Sequence, residues 1–233
     1  MAGLIALVGG GEFQRNCQPM DRALLARLGQ RPKVVIIPTA AAQENPGRAA
    51  ENGVRYFHRL GAQAEALMII DAETARQPAL AAQAENADLI YFTGGDAVYL
   101  LETMRDSLAW KAAEKVLQRN RALAGSSAGA MILGGKMWTP TDGWREGLGL
   151  VPRIAVIPHH ASLASLWNAA HMRVSLPEEF ILVGIDEGTA LAGPPWQVLG
   201  PGEVAVYQGD RPFIYKDGQS VPLSLKPRSR NPC

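Results

Sequence analysis

Residues 122–130 have the sequence Ala-Leu-Ala-Gly-Ser-Ser-Ala-Gly-Ala, a short apolar run followed by a G-S-S-A-G turn at 125–129. The apolar run predicts a buried strand, and the small residues after it are compatible with a helix. A glycine-x-serine-x-glycine turn between a strand and a helix is typical of a nucleophile elbow, which exposes a serine hydroxyl above a sheet. The sequence therefore predicts Ser127 as a nucleophile, with the backbone N–H of Ala128 facing a developing oxyanion.

Outward from this turn, strand-like and helix-like segments alternate along the chain. Apolar or β-branched runs predict strands at 4–8, 33–38, 66–70, 89–92, 122–124, 154–157 and 180–185. Segments rich in Ala, Leu, Glu and Arg predict helices at 20–28, 46–60, 72–84, 109–120 and 162–171. Because parallel strands need crossover connections, this order predicts an α/β fold with a mostly parallel, doubly wound sheet and helices on both faces.

The last part of the chain has a different pattern. Short runs there are broken by Gly and Pro at 193–195, 200–202, 208–210 and 216–218, which predicts small antiparallel hairpins. A length of 233 residues favours one large domain over two. We therefore predict a single domain, 1–233, with a hairpin-rich C-terminal part at 193–225.

Composition argues against several classes of partner. The 23 basic and 22 acidic residues leave a net charge of +1, too small to attract nucleic acid or an anionic membrane. No apolar run approaches the ~20 residues that span a bilayer, and the apolar N-terminus is interrupted at 9–11, unlike a signal peptide. Only Cys17 and Cys233 are present, without a disulfide framework or metal-type spacing. We predict a cytoplasmic protein without a metal or cofactor.

A serine nucleophile needs a general base, and the chain has four histidines. His58 and His171 lie inside helix-like segments. His159 and His160 follow a predicted strand, at the same carboxyl edge of the sheet as Ser127. These positions leave either member of the pair as the base, and they lack the H-E-x-x-H spacing of a metal hydrolase.

Two loops supply a carboxylate that could orient the imidazole. Glu187 follows the predicted strand at 180–185, again at a carboxyl edge, and Asp142 lies in the loop beyond the elbow helix. The residues alone leave both alternatives open.

Two glycine turns also end predicted strands. The turn at 93–96 offers the backbone N–H of Gly95 as a second oxyanion donor. The turn at 9–12 is not a dinucleotide fingerprint, because Gln14 stands where the G-x-G-x-x-G pattern requires glycine.

Taken together, these motifs resemble the family of serine exopeptidases that contains peptidase E and cyanophycinase, whose fold is that of class I glutamine amidotransferases. The resemblance covers most of the chain, through the segments 9–12, 94–96, 127–130, 147–150, 158–159 and 184–190. It implies Ser127 as the nucleophile, His159 as the base and Glu187 as the third triad member. It also implies the backbone N–H groups of Gly95 and Ala128 as the oxyanion donors. Asp142 stays in reserve, because peptidase E also has a functionally implicated aspartate after its elbow helix.

The chain departs from the family pattern in two places. His160 stands where the family usually has an aromatic residue, and segment 161–167 lacks the arginines that follow the histidine in cyanophycinases, which argues against cyanophycin as the substrate. Three other arginines are candidates for holding a substrate carboxylate, namely Arg145, Arg153 and Arg173.

The resemblance implies a peptidase that hydrolyses small peptides, with aspartyl or isoaspartyl peptides as candidate substrates. The alternative is a catalytically silent relative that binds a small ligand. An amidotransferase is disfavoured because those enzymes have cysteine at the elbow. A homodimer is a further prediction, because self-association is common among such proteins.

Overall fold

The computed structural model describes residues 3–166, 169–207 and 212–223, and the strands within these ranges form two sheets. Numbered in chain order, the strands are β1 (Leu4–Val8), β2 (Lys33–Ile37), β3 (Gln63–Ala66), β4 (Leu89–Phe92), β5 (Ala122–Ser126), β6 (Gly134–Thr139), β7 (Gly143–Glu146), β8 (Val151–Ile157), β9 (Ile181–Ile185), β10 (Ala190–Gly193), β11 (Gln197–Leu199), β12 (Val204–Tyr207) and β13 (Pro212–Tyr215). The helices are α1 (Gln18–Ala26), α2 (Pro46–Arg59), α3 (Pro78–Ala84), α4 (Ala97–Met104), α5 (Leu108–Gln118), α6 (Ala128–Leu133), α7 (His160–Leu166) and α8 (Ala169–Ser175).

The first sheet has seven strands in the order β11-β10-β1-β5-β4-β2-β3. Strands β1 to β5 run parallel to one another, β10 pairs antiparallel with β1, and β11 pairs antiparallel with β10. Strands β4 and β5 are buried at every position. Because both faces of these strands are covered, their sequences are continuous runs of apolar or small residues instead of an alternating pattern.

The second sheet has six strands in the order β13-β12-β9-β8-β6-β7. Strands β6, β8 and β9 are parallel. Strand β7 pairs antiparallel with β6, β12 pairs antiparallel with β9, and β13 pairs antiparallel with β12. The chain builds β1 to β5 in the first sheet and β6 to β9 in the second, then returns to each sheet with one hairpin. The predicted C-terminal hairpins are therefore present as β10–β11 and β12–β13, whereas the predicted turn at 208–210 lies outside the described residues.

Helices cover both faces of the first sheet, and the α/β fold class predicted from the sequence is confirmed. Helices α1 and α2 pack on one face around Met20, Leu24 and Phe57. The other face shares one apolar core with α3 to α6 and with the second sheet, so that Leu123 of β5 and Val156 of β8 belong to the same cluster. None of the helices within the described ranges has the length and apolar character needed to cross a bilayer.

The strand predicted at 66–70 is wrong in position, because β3 ends where that segment begins. Strand β3 is at the edge of its sheet, and its sequence includes the polar residues Gln63 and Glu65, which weakens the apolar signal of a strand. The apolar residues that follow the strand, including Leu67 and Ile69, are buried in the core without belonging to the sheet.

Two further boundaries differ from the sequence prediction. The helix predicted at 72–84 is divided into a 3₁₀ turn, Thr74–Arg76, and α3. The division lies at Gln77, which is extended because the following residue is Pro78. The strands predicted at 154–157 and 180–185 exist as β8 and β9 but lie in the second sheet, where β8 separates β9 from β6. The Gly- and Lys-containing sequence of β6 gives little strand signal.

Asp21 of α1 has a fully buried carboxyl group. The Tyr56 O–H donates to Asp21 Oδ2 at 2.7 Å, and among the described residues Oδ1 has no hydrogen-bond partner. Burial raises the pKa of Asp21 from 3.8 to about 7; the Tyr56 hydrogen bond opposes this shift and the Glu12 charge adds to it. The folded protein therefore retains a proton here that the unfolded chain releases near pH 4.

We expect Asp21 to lower the free energy of unfolding by a few kcal/mol as pH rises from 4 to 7, since only the folded state binds the proton in that window. Asp21→Asn, which mimics the protonated acid, should remove this loss. Its free energy of unfolding relative to that of the wild type should therefore be higher at pH 8 than at pH 4. Urea unfolding of both proteins at the two pH values measures these free energies of unfolding. Asp106→Asn, at an exposed position, should leave the pH dependence unchanged, and parallel curves for Asp21→Asn and wild type would contradict the expectation.

Candidate active site

Ser127 lies in the turn between β5 and α6, at the carboxyl edge of the first sheet. Its backbone has φ 50° and ψ −109°, a conformation that costs a non-glycine residue about 1–3 kcal/mol. The Ser127 N–H donates to Val8 O at 3.0 Å, and its carbonyl accepts from Met131 N at 3.0 Å. The turn is therefore held from both sides, and the serine hydroxyl has a fixed origin above the sheet.

The glycines on either side of the elbow allow this turn through close backbone contacts. A Cβ at Gly125 would lie 2.3 Å from the backbone of Gly129, and a Cβ at Gly129 would lie 2.6 Å from Phe92 O. No side chain fits at either position without moving the backbone, which gives the glycine-x-serine-x-glycine pattern its physical reason.

His159 lies two residues after the end of β8 and places its imidazole beside the elbow. The Nε2 atom is 2.9 Å from Ser127 Oγ, and the Nδ1 atom is 2.6 Å from Glu187 Oε1. The residue has φ 48°, its N–H donates to Gly9 O at 2.7 Å, and its carbonyl accepts from Leu163 N at 2.8 Å in the first turn of α7. With its proton on Nδ1, the ring donates to Glu187 and accepts from the Ser127 hydroxyl.

Glu187 follows β9, and its loop is tied to the turn after β1. Gly188 N–H donates to Gly10 O at 3.0 Å, and Gly9 N–H donates to Thr189 O at 2.9 Å. The carboxylate is about half exposed, with 49% of the side-chain surface accessible. Its contact with His159 is thus fixed by the loop backbone and not by deep burial.

The glycine turn at 9–11 forms the support for the imidazole, a role that the sequence reasoning missed. A Cβ at Gly10 would lie 2.2 Å from His159 Cε1, and Gly10 has φ +124°. A Cβ at Gly9 would lie 2.2 Å from Asp186 O. The signal in the sequence was the three consecutive glycines at the end of a strand, which permit a close approach by another segment.

The structure separates the two adjacent histidines. His160 points away from the elbow, with Nε2 at 2.7 Å from Tyr207 Oη and Nδ1 at 3.6 Å from Asp186 Oδ1. Its ring packs so closely on Gly184 that a Cβ there would lie 2.0 Å from His160 Cδ2. Burial lowers the pKa of His160, and its contacts tie α7 to the second sheet.

Asp142, the alternative third member, lies in the β6–β7 hairpin turn. Its carboxylate is 3.6 Å from Arg145 Nη1 and accepts from Thr141 Oγ1 at 3.1 Å. Among the described residues, the carboxylate that contacts His159 is that of Glu187.

The three candidate arginines donate hydrogen bonds to acceptors of the protein itself. Arg145 donates to Glu102 Oε1 at 2.9 Å. The other two donate to backbone carbonyls, Arg153 to Glu179 O at 2.7 Å and Arg173 to Leu176 O at 3.1 Å.

The predicted oxyanion donors belong to two turns that meet at Ser127. Ala128 begins α6 directly after the serine. The turn at 93–96 passes so close that a Cβ at Gly94 would lie 3.3 Å from Ser127 Cβ. Gly95 has φ +136°, and within the described residues its N–H donates no hydrogen bond.

Comparison with known proteins identifies the family. Residues 5–193 match the family model of peptidase family S51. The structure of a peptidase from an acI-B1 Actinobacterium is 32% identical, with 95% of this chain and 97% of that chain covered and a TM-score of 0.85. The structure of a protein assigned as a peptidase E from Listeria monocytogenes EGD-e shares the fold, at 18% identity, 93% and 99% coverage and a TM-score of 0.61. A search of curated proteins found no match.

The resemblance to peptidase E that the sequence motifs indicated is thereby confirmed. The matched region contains the elbow, both glycine turns and the loops that carry His159 and Glu187. The chain belongs to peptidase family S51, a family of hydrolases, and has the peptidase E fold.

Proposed function

We propose that this protein is a serine-type peptidase that cleaves small peptides with Ser127, His159 and Glu187. One observation carries the proposal, namely the unbroken series of contacts from Ser127 Oγ through the His159 ring to Glu187, at 2.9 and 2.6 Å. A serine hydroxyl with an oriented imidazole and a carboxylate behind it is the arrangement that activates an otherwise weak nucleophile.

The proposed reaction has two halves. In the first, Ser127 Oγ attacks the peptide carbonyl while His159 Nε2 takes the hydroxyl proton and then gives it to the leaving amine, so that an acyl-enzyme forms and the peptide bond breaks. In the second, His159 takes a proton from water, the hydroxide attacks the ester, and the proton returns to Ser127 as the carboxylic acid leaves. Glu187 stabilises the imidazolium in both halves.

The oxyanion formed in each half needs hydrogen-bond donors. We propose the backbone N–H groups of Gly95 and Ala128, because their turns flank Ser127 and the Gly95 N–H donates to no other group within the described part of the chain. Backbone donors of this kind are positioned before the reaction begins and therefore stabilise the transition state without reorganisation.

As substrates we propose short peptides, with aspartyl and isoaspartyl dipeptides as the first to be screened. Support comes from membership of family S51 and from the similarity of the motifs to those of peptidase E. We also propose a cytoplasmic location, since Cys17 is a buried free thiol, as a reducing compartment favours.

The proposal is tested by incubating the protein with a fluorophosphonate probe and measuring its intact mass. The wild type should gain one probe mass at Ser127. His159→Ala should react at least about 100-fold more slowly, because the hydroxyl then lacks its base. His160→Gln is the matched control and should react like the wild type, since His160 contacts Tyr207 instead of Ser127. A wild type that stays unlabelled would favour a catalytically silent relative that binds a small ligand.

A further inference from the structure

Glu12 joins the two turns that flank the nucleophile. Its Oε1 atom accepts a hydrogen bond from Gly94 N–H at 2.7 Å, and its Oε2 atom accepts one from the Ser126 hydroxyl at 2.7 Å. These partners are 82 and 114 residues away in the sequence. One carboxylate thus links the turn after β1 with the turn after β4 and with the last residue of β5.

Each contact of Glu12 is adjacent to a group that the proposed mechanism uses. Gly94 precedes Gly95, and Ser126 precedes Ser127, which is followed by Ala128. The packing is tight, since a Cβ at Gly94 would lie 2.8 Å from Glu12 Oε1. A shift of Glu12 would therefore change the spacing between the two proposed oxyanion donors.

We propose that Glu12 is a positioning residue that fixes this spacing. The inference rests on the proposed function, because it assigns the two turns their role in the oxyanion site. Glu12 acts through its neighbours and not on the substrate. Its negative charge would oppose a nearby oxyanion, so its contribution to catalysis is the geometry of its two acceptor atoms.

This geometry can be separated from the charge by substitution. In Glu12→Gln, the amide oxygen can still accept from Gly94 N–H while the amide nitrogen donates to the Ser126 hydroxyl, which can accept. Glu12→Ala removes both contacts and leaves the buried Ser126 hydroxyl without this partner. Both variants lack the negative charge, but only Glu12→Gln keeps the hydrogen bonds to Gly94 and Ser126.

In Glu12→Ala, the missing carboxylate can be supplied by a small carboxylate added to the solution. Glu12 lines a cavity of about 550 Å³ whose other lining residues include Arg55 and Arg59. A carboxylate as small as formate fits this space. The Arg55 guanidinium is already paired with Glu51 at 3.0 Å, so the positive charge that favours the approach of an anion is mainly that of Arg59. Formate in Glu12→Ala would restore the two acceptor atoms without the covalent link.

We expect Glu12→Ala to lower kcat about 30-fold with KM within about 2-fold of wild type, since loss of one oxyanion donor costs about 10²–10³-fold and a displaced donor costs less. Glu12→Gln should stay within about 3-fold of wild type, and formate should raise the rate of Glu12→Ala in a saturable manner. Glu114→Ala, which removes an exposed carboxylate on α5, is the control and should match the wild type. Equal losses in Glu12→Ala and Glu12→Gln would overturn the inference.

Hydrogen exchange of the Gly94 amide gives a second readout that needs no turnover. This amide should exchange faster in Glu12→Ala than in the wild type, but not in Glu12→Gln, whatever the catalytic rate. An unchanged hydrogen-exchange rate of the Gly94 amide in Glu12→Ala would overturn the inference that Glu12 positions this turn. A wild type without turnover would instead count against the proposed function, while the exchange rates still decide whether Glu12 holds the turn.

Discussion

Replacement of Ser127 by alanine is expected to lower kcat/KM for a peptide substrate by about 10⁴-fold or more, with the fold retained. The hydroxyl is the group that forms the acyl-enzyme, so its removal leaves only the oxyanion donors and substrate binding. Alanine keeps the Cβ and the backbone contacts to Val8 and Met131, which are made by main-chain atoms. The fold should therefore lose no more than one side-chain hydrogen bond, about 1 kcal/mol.

The measurement is hydrolysis of a dipeptide, followed by amine release, together with thermal unfolding of the same preparation. Ser162→Ala is the matched control, because Ser162 is an exposed serine on α7, three residues after His159. That variant should hydrolyse the substrate at the wild-type rate. Wild-type turnover by Ser127→Ala would refute the assignment of the nucleophile.

Replacement of Gly10 by alanine should lower kcat/KM by about 10³-fold even though residue 10 carries no reacting group. The new Cβ would lie 2.2 Å from His159 Cε1 and 2.7 Å from both ring nitrogens, whereas carbon atoms in contact stay about 3.5–4.0 Å apart. The ring must move by more than 1 Å, and such a displacement removes the base from both Ser127 and Glu187.

The control for this substitution is Gly29→Ala. Gly29 also has positive φ, at +96°, but a Cβ there would meet nothing within 4 Å. Both variants place a Cβ at a positive φ, which costs about 1–3 kcal/mol, while only Gly10→Ala displaces the imidazole and loses activity. Full activity in Gly10→Ala would mean that the imidazole does not depend on this glycine.

The sequence was most informative about Ser127 because its signal is local. A strand, a turn of small residues and a helix within 122–133 are visible without knowledge of the rest of the chain. The choice between His159 and His160 is not local, because both follow the same strand. It depends on φ +48° at His159 and on Tyr207, which is supplied by a distant strand and contacts His160.

Other features were beyond the sequence because they depend on pairing between remote segments. An apolar run indicates a strand but not the sheet that it joins, so β8 and β9 could not be assigned to a second sheet. The roles of Gly10 and Glu12 likewise arise from contacts with residues 82 to 149 positions away. The family resemblance supplied Glu187 in place of Asp142, and the contact with His159 is consistent with that prediction.

The division of the proposed triad between two sheets affects when a newly made chain can act. Ser127 and both oxyanion turns belong to the part of the chain that a ribosome completes first, whereas His159 and Glu187 follow β8 and β9. The first sheet itself is completed only when β10 pairs with β1. A nascent chain thus carries Ser127 as an unactivated alcohol until the segments that hold His159 and Glu187 have been made and have folded against the first sheet.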